Sequence, residues 1–164
     1  MLILLYGLPA TGKTTLARAL SASIGALHLN SERVRAELGL HSQYSPEDKE
    51  AVYHALLDRT REALHQGKTV VVDSTFYIES IRDPFRRIAA AVNTPVFWVL
   101  VKAREASVRE RLQTTAPNGA ADLSVYHAVR DNEEPLADPH LTVWTDEESV
   151  EEMVEAVRDY IQIK

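Results

Sequence analysis

The chain is expected to fold as an α/β protein, with a parallel sheet covered by helices on both faces. Three observations predict this. Short stretches that are apolar nearly throughout, such as Leu2–Tyr6, Thr69–Asp73 and Val96–Val101, alternate with segments of helical period. The first stretch runs at once into a glycine-bounded loop and then a helix, the order strand, loop, helix. Finally, the polar residues suited to chemistry fall at the carboxyl ends of the apolar stretches, where open parallel sheets bind their ligands.

Composition narrows the class. A chain of 164 residues with 45% hydrophobic and 26% charged side chains is an ordinary globular domain. Residues 1–164 are read as a single domain carrying a small lid around 104–121. With no cysteine, disulfides and thiolate metal sites are excluded. The expected location is cytoplasmic, since no targeting segment is visible, and the apolar run 96–101 is far shorter than the roughly 20 residues of a membrane helix. The net charge of −6 is uneven: residues 1–115 carry +3 and residues 116–164 carry −9. This weighs against binding along extended nucleic acid, whose affinity scales with phosphates neutralised, but leaves a short 5′ end open.

Each element has a local cause. Leu16, Leu20 and Ile24 share a helix face that stops at Gly25. Residues 26–29 form a short second strand, and Asn30 or Ser31 caps a helix that ends at Gly39. Ser45-Pro46-Glu47-Asp48 is a strong helix start, combining cap, proline and first-turn acids, and Gly67 ends that helix. The β-branched run 69–73 is a buried strand. Asp83-Pro84 is expected to cap the next helix, with a start near Glu79 and a kink as the alternative. A fourth strand follows Pro95, and residues 105–115 form an arginine-rich helix. Residues 116–121 read as a mobile linker, and a helix runs from about Asp122 to Asp131. His140–Trp144 is the fifth strand. Thr145 or Asp146 is expected to cap a last helix whose apolar stripe is Val150, Met153, Val154, Val157 and Ile161.

The chemistry centres on Gly7-Leu8-Pro9-Ala10-Thr11-Gly12-Lys13-Thr14, which fits the phosphate-loop pattern at every fixed position. Its glycines let backbone N–H groups wrap an oligophosphate, and the following helix N-terminus, entering at Thr15, adds partial positive charge. Lys13 reaches the outer phosphates and the Thr14 hydroxyl can ligate Mg²⁺. Asp73 ends an apolar strand like a Walker-B acid, holding a metal-bound water or fixing a substrate hydroxyl. Glu32 opens a helix with Arg35 one turn on, and together an acid and an arginine can grip an acceptor and take its proton. Arg104, Arg109 and Arg111 offer cations over the terminal phosphate; Arg109 and Arg111, two apart on a helix, diverge, so one of the two faces the nucleotide. His41, Tyr44, Phe76 and Tyr77 are candidates to line an acceptor pocket. The six histidines are scattered without metal spacing and are assigned to the surface or to strand packing.

These motifs resemble the small P-loop kinases that include polynucleotide 5′-kinases, chloramphenicol phosphotransferase and zeta toxins, many of them carrying an AAA-type domain label. The resemblance rests on residues 7–15, Asn30-Ser31-Glu32-Arg33-Val34-Arg35, Val71-Val72-Asp73-Ser74-Thr75-Phe76, Arg109-Glu110-Arg111-Leu112, the stretch from Asp122 to Tyr126, and Glu134-Pro135. It implies a three-layer α/β/α P-loop NTPase fold with a five-stranded parallel sheet in the order 2-3-1-4-5. It implies ATP and Mg²⁺ as cofactors, a base at Glu32 where the family usually has aspartate, substrate or metal-water contact by Asp73, and Arg111 as lid arginine. A second lid arginine is common four residues later; this chain has Thr115.

The expected function is a kinase moving the γ-phosphoryl group of ATP to a hydroxyl, on a small molecule or a nucleic-acid 5′ end. Lys13, Glu32, Arg35, Asp73 and Arg111 carry catalysis. Residues 7–15 with Arg109 and Arg111 bind nucleotide, and Thr14 and Asp73 attend the metal. The alternatives are an ATPase or switch with water as acceptor, and an ATP-binding module without transfer.

Overall fold

The computed structural model describes residues 1–115 and 119–162. In chain order the elements are β1 (Leu2–Tyr6), α1 (Lys13–Ile24), β2 (Leu27–Asn30), α2 (Ser31–Glu37), α3 (Pro46–His65), β3 (Val70–Asp73), α4 (Glu79–Ala91), β4 (Val96–Lys102), α5 (Glu105–Thr115), α6 (Gly119–Asp131), β5 (His140–Trp144) and α7 (Val150–Tyr160). The sheet is parallel throughout, in the order β2-β3-β1-β4-β5.

β1 sits at the centre because nothing in Leu2–Tyr6 needs water: all five residues are buried. Its alternation divides the core. Leu2, Leu4 and Tyr6 join Val34, Val52, Leu56 and Phe85 beneath α2, α3 and α4. Ile3 and Leu5 face the other way, onto Leu16 and Leu20 of α1 and Met153 and Val157 of α7. Each of these large apolar side chains contributes about 1.5–3 kcal/mol by leaving water, so both helical layers are fastened through one strand. A third, small core lies over the loop after β1, where Val108 and Leu112 of α5 and Tyr126 of α6 pack with Leu8 and Ala10. Among the described residues no helix is long and apolar enough to cross a membrane.

Most expected boundaries hold, and the exceptions have physical reasons. α4 starts at Glu79, not at Asp83, with Pro84 inside it. Its N-cap, Ile78, has no side chain to offer, but the Glu134 carboxylate accepts the Glu79 N–H at 2.6 Å from 55 residues away. Arg82, fully buried, then donates to the carbonyls of Phe76 (2.6 Å), Glu134 (2.5 Å) and Pro135 (3.1 Å), fixing the first turn. α7 is capped by Ser149, whose hydroxyl accepts from Glu152 N–H while the Glu152 side chain accepts from Ser149 N–H, a reciprocal capping box. Thr145 and Asp146, the expected caps, have other work: Thr145 binds the loop after β1, and Asp146 accepts from Arg104 N–H and Ser107. α6 begins at Gly119, so the expected linker is helical from that residue; its residues 116–118 lie outside the described residues.

Candidate functional site

The loop Gly7–Gly12 is built on backbone shapes that side chains resist. At Gly7, with φ 154°, a Cβ would stand 2.3 Å from the Val101 carbonyl oxygen. Gly12 is left-handed at φ 99°, and a Cβ there would lie 3.0 Å from the Thr145 methyl group. Ala10 also takes a positive φ, 60°. Pro9 lies in the same half-buried turn, and Thr11, buried, folds its hydroxyl onto the Leu8 carbonyl at 2.9 Å.

α1 opens this loop differently from its neighbours. α2, α3 and α7 each have a side chain closing the first-turn N–H groups, from Asn30, Ser45 and Ser149. α1 has Gly12 at its N-cap, no side-chain cap and no acid in its first turn. Its first amides therefore face outward with the positive end of the helix dipole, an arrangement suited to an anion.

Lys13 and Thr14 stand at this helix end. Lys13 is 8% exposed and donates to the Leu8 carbonyl at 2.7 Å. Burial pulls its pKa down to about 8, partly opposed by the nearby carboxylates of Asp73 and Glu32. Thr14 donates to Asp73 Oδ1 at 3.0 Å. Asn30 Nδ2 reaches both Asp73 Oδ1 (2.7 Å) and Thr14 Oγ1 (3.2 Å), while its oxygen caps α2. His28 Nε2 meets Asp73 Oδ2.

Register explains the convergence. β2 and β3 pair Asn30 with Asp73 and His28 with Val71. Side chains alternate along a strand, so Asp73 shares the α1 face with Val71, and His28 and Asn30 fall beside it. Asp73 is 1% exposed, and both its oxygens are engaged by these donors. His28, assigned from sequence to the surface or to packing, is thus part of the site. The signal that could have found it was its i, i+2 relation to Asn30 on a strand adjacent to Asp73.

Glu32 lies just beyond. It is exposed, accepts from Arg35 Nε at 3.4 Å and from the Tyr44 hydroxyl at 3.1 Å. Arg35, only 4% exposed, also donates to the Gln43 carbonyl at 2.6 Å and lies 4.3 Å over the Tyr44 ring. The loop after α2 is therefore folded back by Arg35 so that Tyr44 aims at Glu32. Phe76, a candidate pocket residue from sequence, is instead fully buried between Phe85 and Trp98.

On the other flank Arg111 donates to the Ala10 carbonyl (3.2 Å) and the Thr145 hydroxyl (2.9 Å), and that hydroxyl donates to the Thr11 carbonyl (2.5 Å). α5 and the end of β5 are thereby tied to the loop. Arg109 turns instead onto Glu105 at 2.9 Å, where His127 and Arg130 also gather, and Arg104 pairs with Glu147. Of these arginines, Arg111 is the one brought to the loop. A cavity of about 470 Å³ extends from Gly12–Thr15 past Arg111 and Thr145 to Glu148, Val150 and Met153. Its far, partly apolar end comes from α7 and was not legible in the sequence.

A glycine-shaped loop, an uncapped helix N-terminus and a lysine, threonine and aspartate at the carboxyl ends of the central strands define a P-loop nucleotide-binding domain. The family model AAA_33, an AAA domain, matches residues 2–136, and the chain belongs to that family. Rv2004c of Mycobacterium tuberculosis (strain H37Rv), an uncharacterized protein, is 32% identical over 110 residues; the match covers 58% of this chain and 22% of that protein. The chain thus spans about a fifth of the length of the curated relatives it matches. Among solved structures, the M. tuberculosis APS kinase CysC in complex with AMPPNP and APS superposes with a TM-score of 0.79 at 17% identity, covering 98% of this chain and 96% of that one. APE1195 gives 0.80 at 22% identity over 99% and 94% of the two chains. A gluconokinase from Sinorhizobium meliloti 1021 gives 0.69 at 17% identity over 99% and 97%. The fold is that of the small P-loop kinases.

Proposed function

We propose that the chain is an ATP-dependent kinase that transfers the γ-phosphoryl group to a hydroxyl acceptor. The observation that carries this reading is the uncapped N-terminus of α1 opening onto a cavity beside Lys13, with Asp73 and Glu32 converging on the same lysine. Loop amides and Lys13 hold the phosphates, and the end of the cavity at Val150 and Met153 offers an apolar seat for the base.

The donor set suits magnesium. It offers hard oxygens, the Thr14 hydroxyl and the Asp73 carboxylate, and magnesium takes one or two such groups together with phosphate and water. When bound, the ion neutralises charge on the phosphates and helps orient them. Thr14 would hold it directly, and Asp73, steadied by His28 and Asn30, would hold its water.

The division of labour between the two acids follows from their surroundings. The Asp73 oxygens already accept from Thr14 and Asn30 and meet His28, which leaves one lone pair on Oδ2 for a metal-bound water and weakens the carboxylate's pull on an acceptor proton. Glu32 is open to solvent, held only at its edges by Arg35 and Tyr44. Glu32 is therefore the base, Asp73 the organiser, and Arg35 acts by positioning Glu32. Arg111 balances charge on the transferred group from α5, the helix of the small lid expected around residues 104–121.

Incubation with γ-³²P-ATP, Mg²⁺ and a panel of hydroxyl compounds tests the proposal. Label should pass to one class of acceptor, with little free phosphate in its absence. Rapid phosphate release from ATP alone would make the protein an ATPase, and retention of intact ATP with every acceptor would make it a binding module.

A further inference from the structure

Three charged side chains line the cavity beside the phosphate loop: Lys13, Arg111 and Glu148. The two cations are tied to the loop, Lys13 on the Leu8 carbonyl and Arg111 on the Ala10 carbonyl. Glu148 comes from the turn before α7, beside Val150 and Met153 of the apolar wall. A carboxylate repels the phosphates of a nucleotide, so its use lies with another part of the ligand.

The turn holds Glu148 at both ends. Its N–H donates to the Trp144 carbonyl at 2.9 Å, and its Oε2 accepts the Trp144 N–H at 2.6 Å. β5 is an edge strand, so this N–H has no strand to pair with and the side chain supplies the acceptor. That contact accounts for one oxygen. Among the described residues Oε1 accepts no hydrogen bond, and neither oxygen forms an ion pair. Acceptor capacity is therefore left at the cavity wall, next to apolar side chains. Such a place suits a flat ring that carries an N–H donor on its edge. The 6-amino group of adenine is one. A ring carbonyl at the same place, as in hypoxanthine or guanine, would set two acceptors face to face.

We infer that Glu148 sets the base specificity of the nucleotide pocket, its carboxylate accepting from the 6-amino group of adenine. This rests on the reading of the Lys13 cavity as the nucleotide site, but not on transfer to an acceptor. Val150 and Met153 cover the ring while Glu148 reads its edge. The contact with Trp144 supplies a distinctive consequence. In Glu148→Gln the Trp144 N–H still needs an oxygen, so the amide oxygen stays there and the NH₂ turns to the cavity. The group facing the base changes from acceptor to donor, and a base with a 6-carbonyl becomes the better fit.

Titration calorimetry of the full chain in magnesium buffer tests this with diphosphates, which carry no γ-phosphoryl group to transfer. The set is ADP, 2′-deoxy-ADP, purine riboside 5′-diphosphate, which lacks the 6-amino group, and IDP, which has a carbonyl there. The wild type should bind ADP and 2′-deoxy-ADP alike, purine riboside diphosphate about tenfold more weakly, and IDP more weakly still. Glu148→Gln should reverse the order of ADP and IDP. A merely structural contact would not give that reversal, because glutamine keeps the bond to Trp144. Glu148→Ala should bring ADP, IDP and purine riboside diphosphate to within about threefold of one another. The inference is overturned if the wild type binds ADP and purine riboside diphosphate equally, or if 2′-deoxy-ADP loses the affinity instead. It is also overturned if Glu148→Gln keeps the preference for ADP. Each of these results leaves the kinase reading standing. No binding of any diphosphate would sink the nucleotide site itself, and the expected order of binding without phosphoryl transfer from ATP to any hydroxyl would sink the kinase reading alone.

Discussion

Lys13→Met should make the empty protein more stable while abolishing its response to nucleotide. Lys13 is buried, and its pKa is depressed from 10.5 to about 8. Between those values the folded state binds fewer protons than the unfolded chain, so stability rises with pH through that window, and the penalty is fully present below pH 8. At pH 7 holding the charge costs about 3 kcal/mol, at ~1.4 kcal/mol per pKa unit. Methionine removes this cost with a chain of similar reach. It loses the bond to the Leu8 carbonyl, worth about 1 kcal/mol, but that oxygen keeps the Thr11 hydroxyl at 2.9 Å and is not orphaned. The net gain of about 2 kcal/mol corresponds to a Tm roughly 4–8 °C higher for a chain of this size. The gain should shrink to near zero by about pH 10, where wild-type Lys13 is neutral in the folded state but still mostly protonated when unfolded, so only about 0.8 kcal/mol of the penalty is left and the lost hydrogen bond offsets it. Adding AMPPNP and Mg²⁺ at about 1,000 times Kd should stabilise the wild type by about 4 kcal/mol and the variant by nothing, reversing the order. Differential scanning fluorimetry at pH 7 and pH 10, with and without nucleotide, reads all of this. An empty variant no more stable than the wild type at pH 7, or one that keeps the nucleotide shift, would refute the reasoning.

The other expectations concern the acids, the proton and the loop. Glu32→Gln should lower turnover by about 10²–10⁴ while AMPPNP affinity stays the same, and Asp73→Asn should raise the Mg²⁺ concentration needed for half-maximal rate; equal effects on both readouts would show that the roles are not divided. Nucleotide binding at pH 8.5 should take up roughly 0.7 proton as phosphate re-protonates Lys13, measured by calorimetry in buffers of different ionisation enthalpy. Gly12→Ala should lower the denaturant midpoint by about 2–3 kcal/mol of stability. Adding Thr145→Ser should recover about 1 kcal/mol, because it removes the methyl group 3.0 Å from the new Cβ but keeps the hydroxyl that bonds Thr11 and Arg111.

What could be read from the chain was what its local chemistry determines. The phosphate loop, the apolar strands and the Ser45 and Asn30 caps are each specified by a few contiguous residues, and each stands where the sequence places it. Sheet order came from resemblance, because strand adjacency is not a local property. Two of the misplaced boundaries, at α4 and before α7, share one cause, a partner far along the chain. α4 starts early because Glu134 caps it and Arg82 ties it to the carbonyls of Glu134 and Pro135. Thr145 fails as a cap because the loop carbonyl of Thr11 claims its hydroxyl. His28 looked incidental because its meaning lies in the β2–β3 register that sets it against Asp73. The cavity beside Lys13 is likewise built from segments distant in sequence, and Glu148, Val150 and Met153 carry no motif that announces them.

The central claim is that residues 7–15 hold the phosphates of ATP through Lys13 and the free amides of α1. Titration calorimetry of the full chain with AMPPNP in magnesium buffer tests it most directly. A saturable single-site isotherm in the wild type that vanishes in Lys13→Met is the expected result; no binding in the wild type, or the same isotherm in both proteins, would contradict the account.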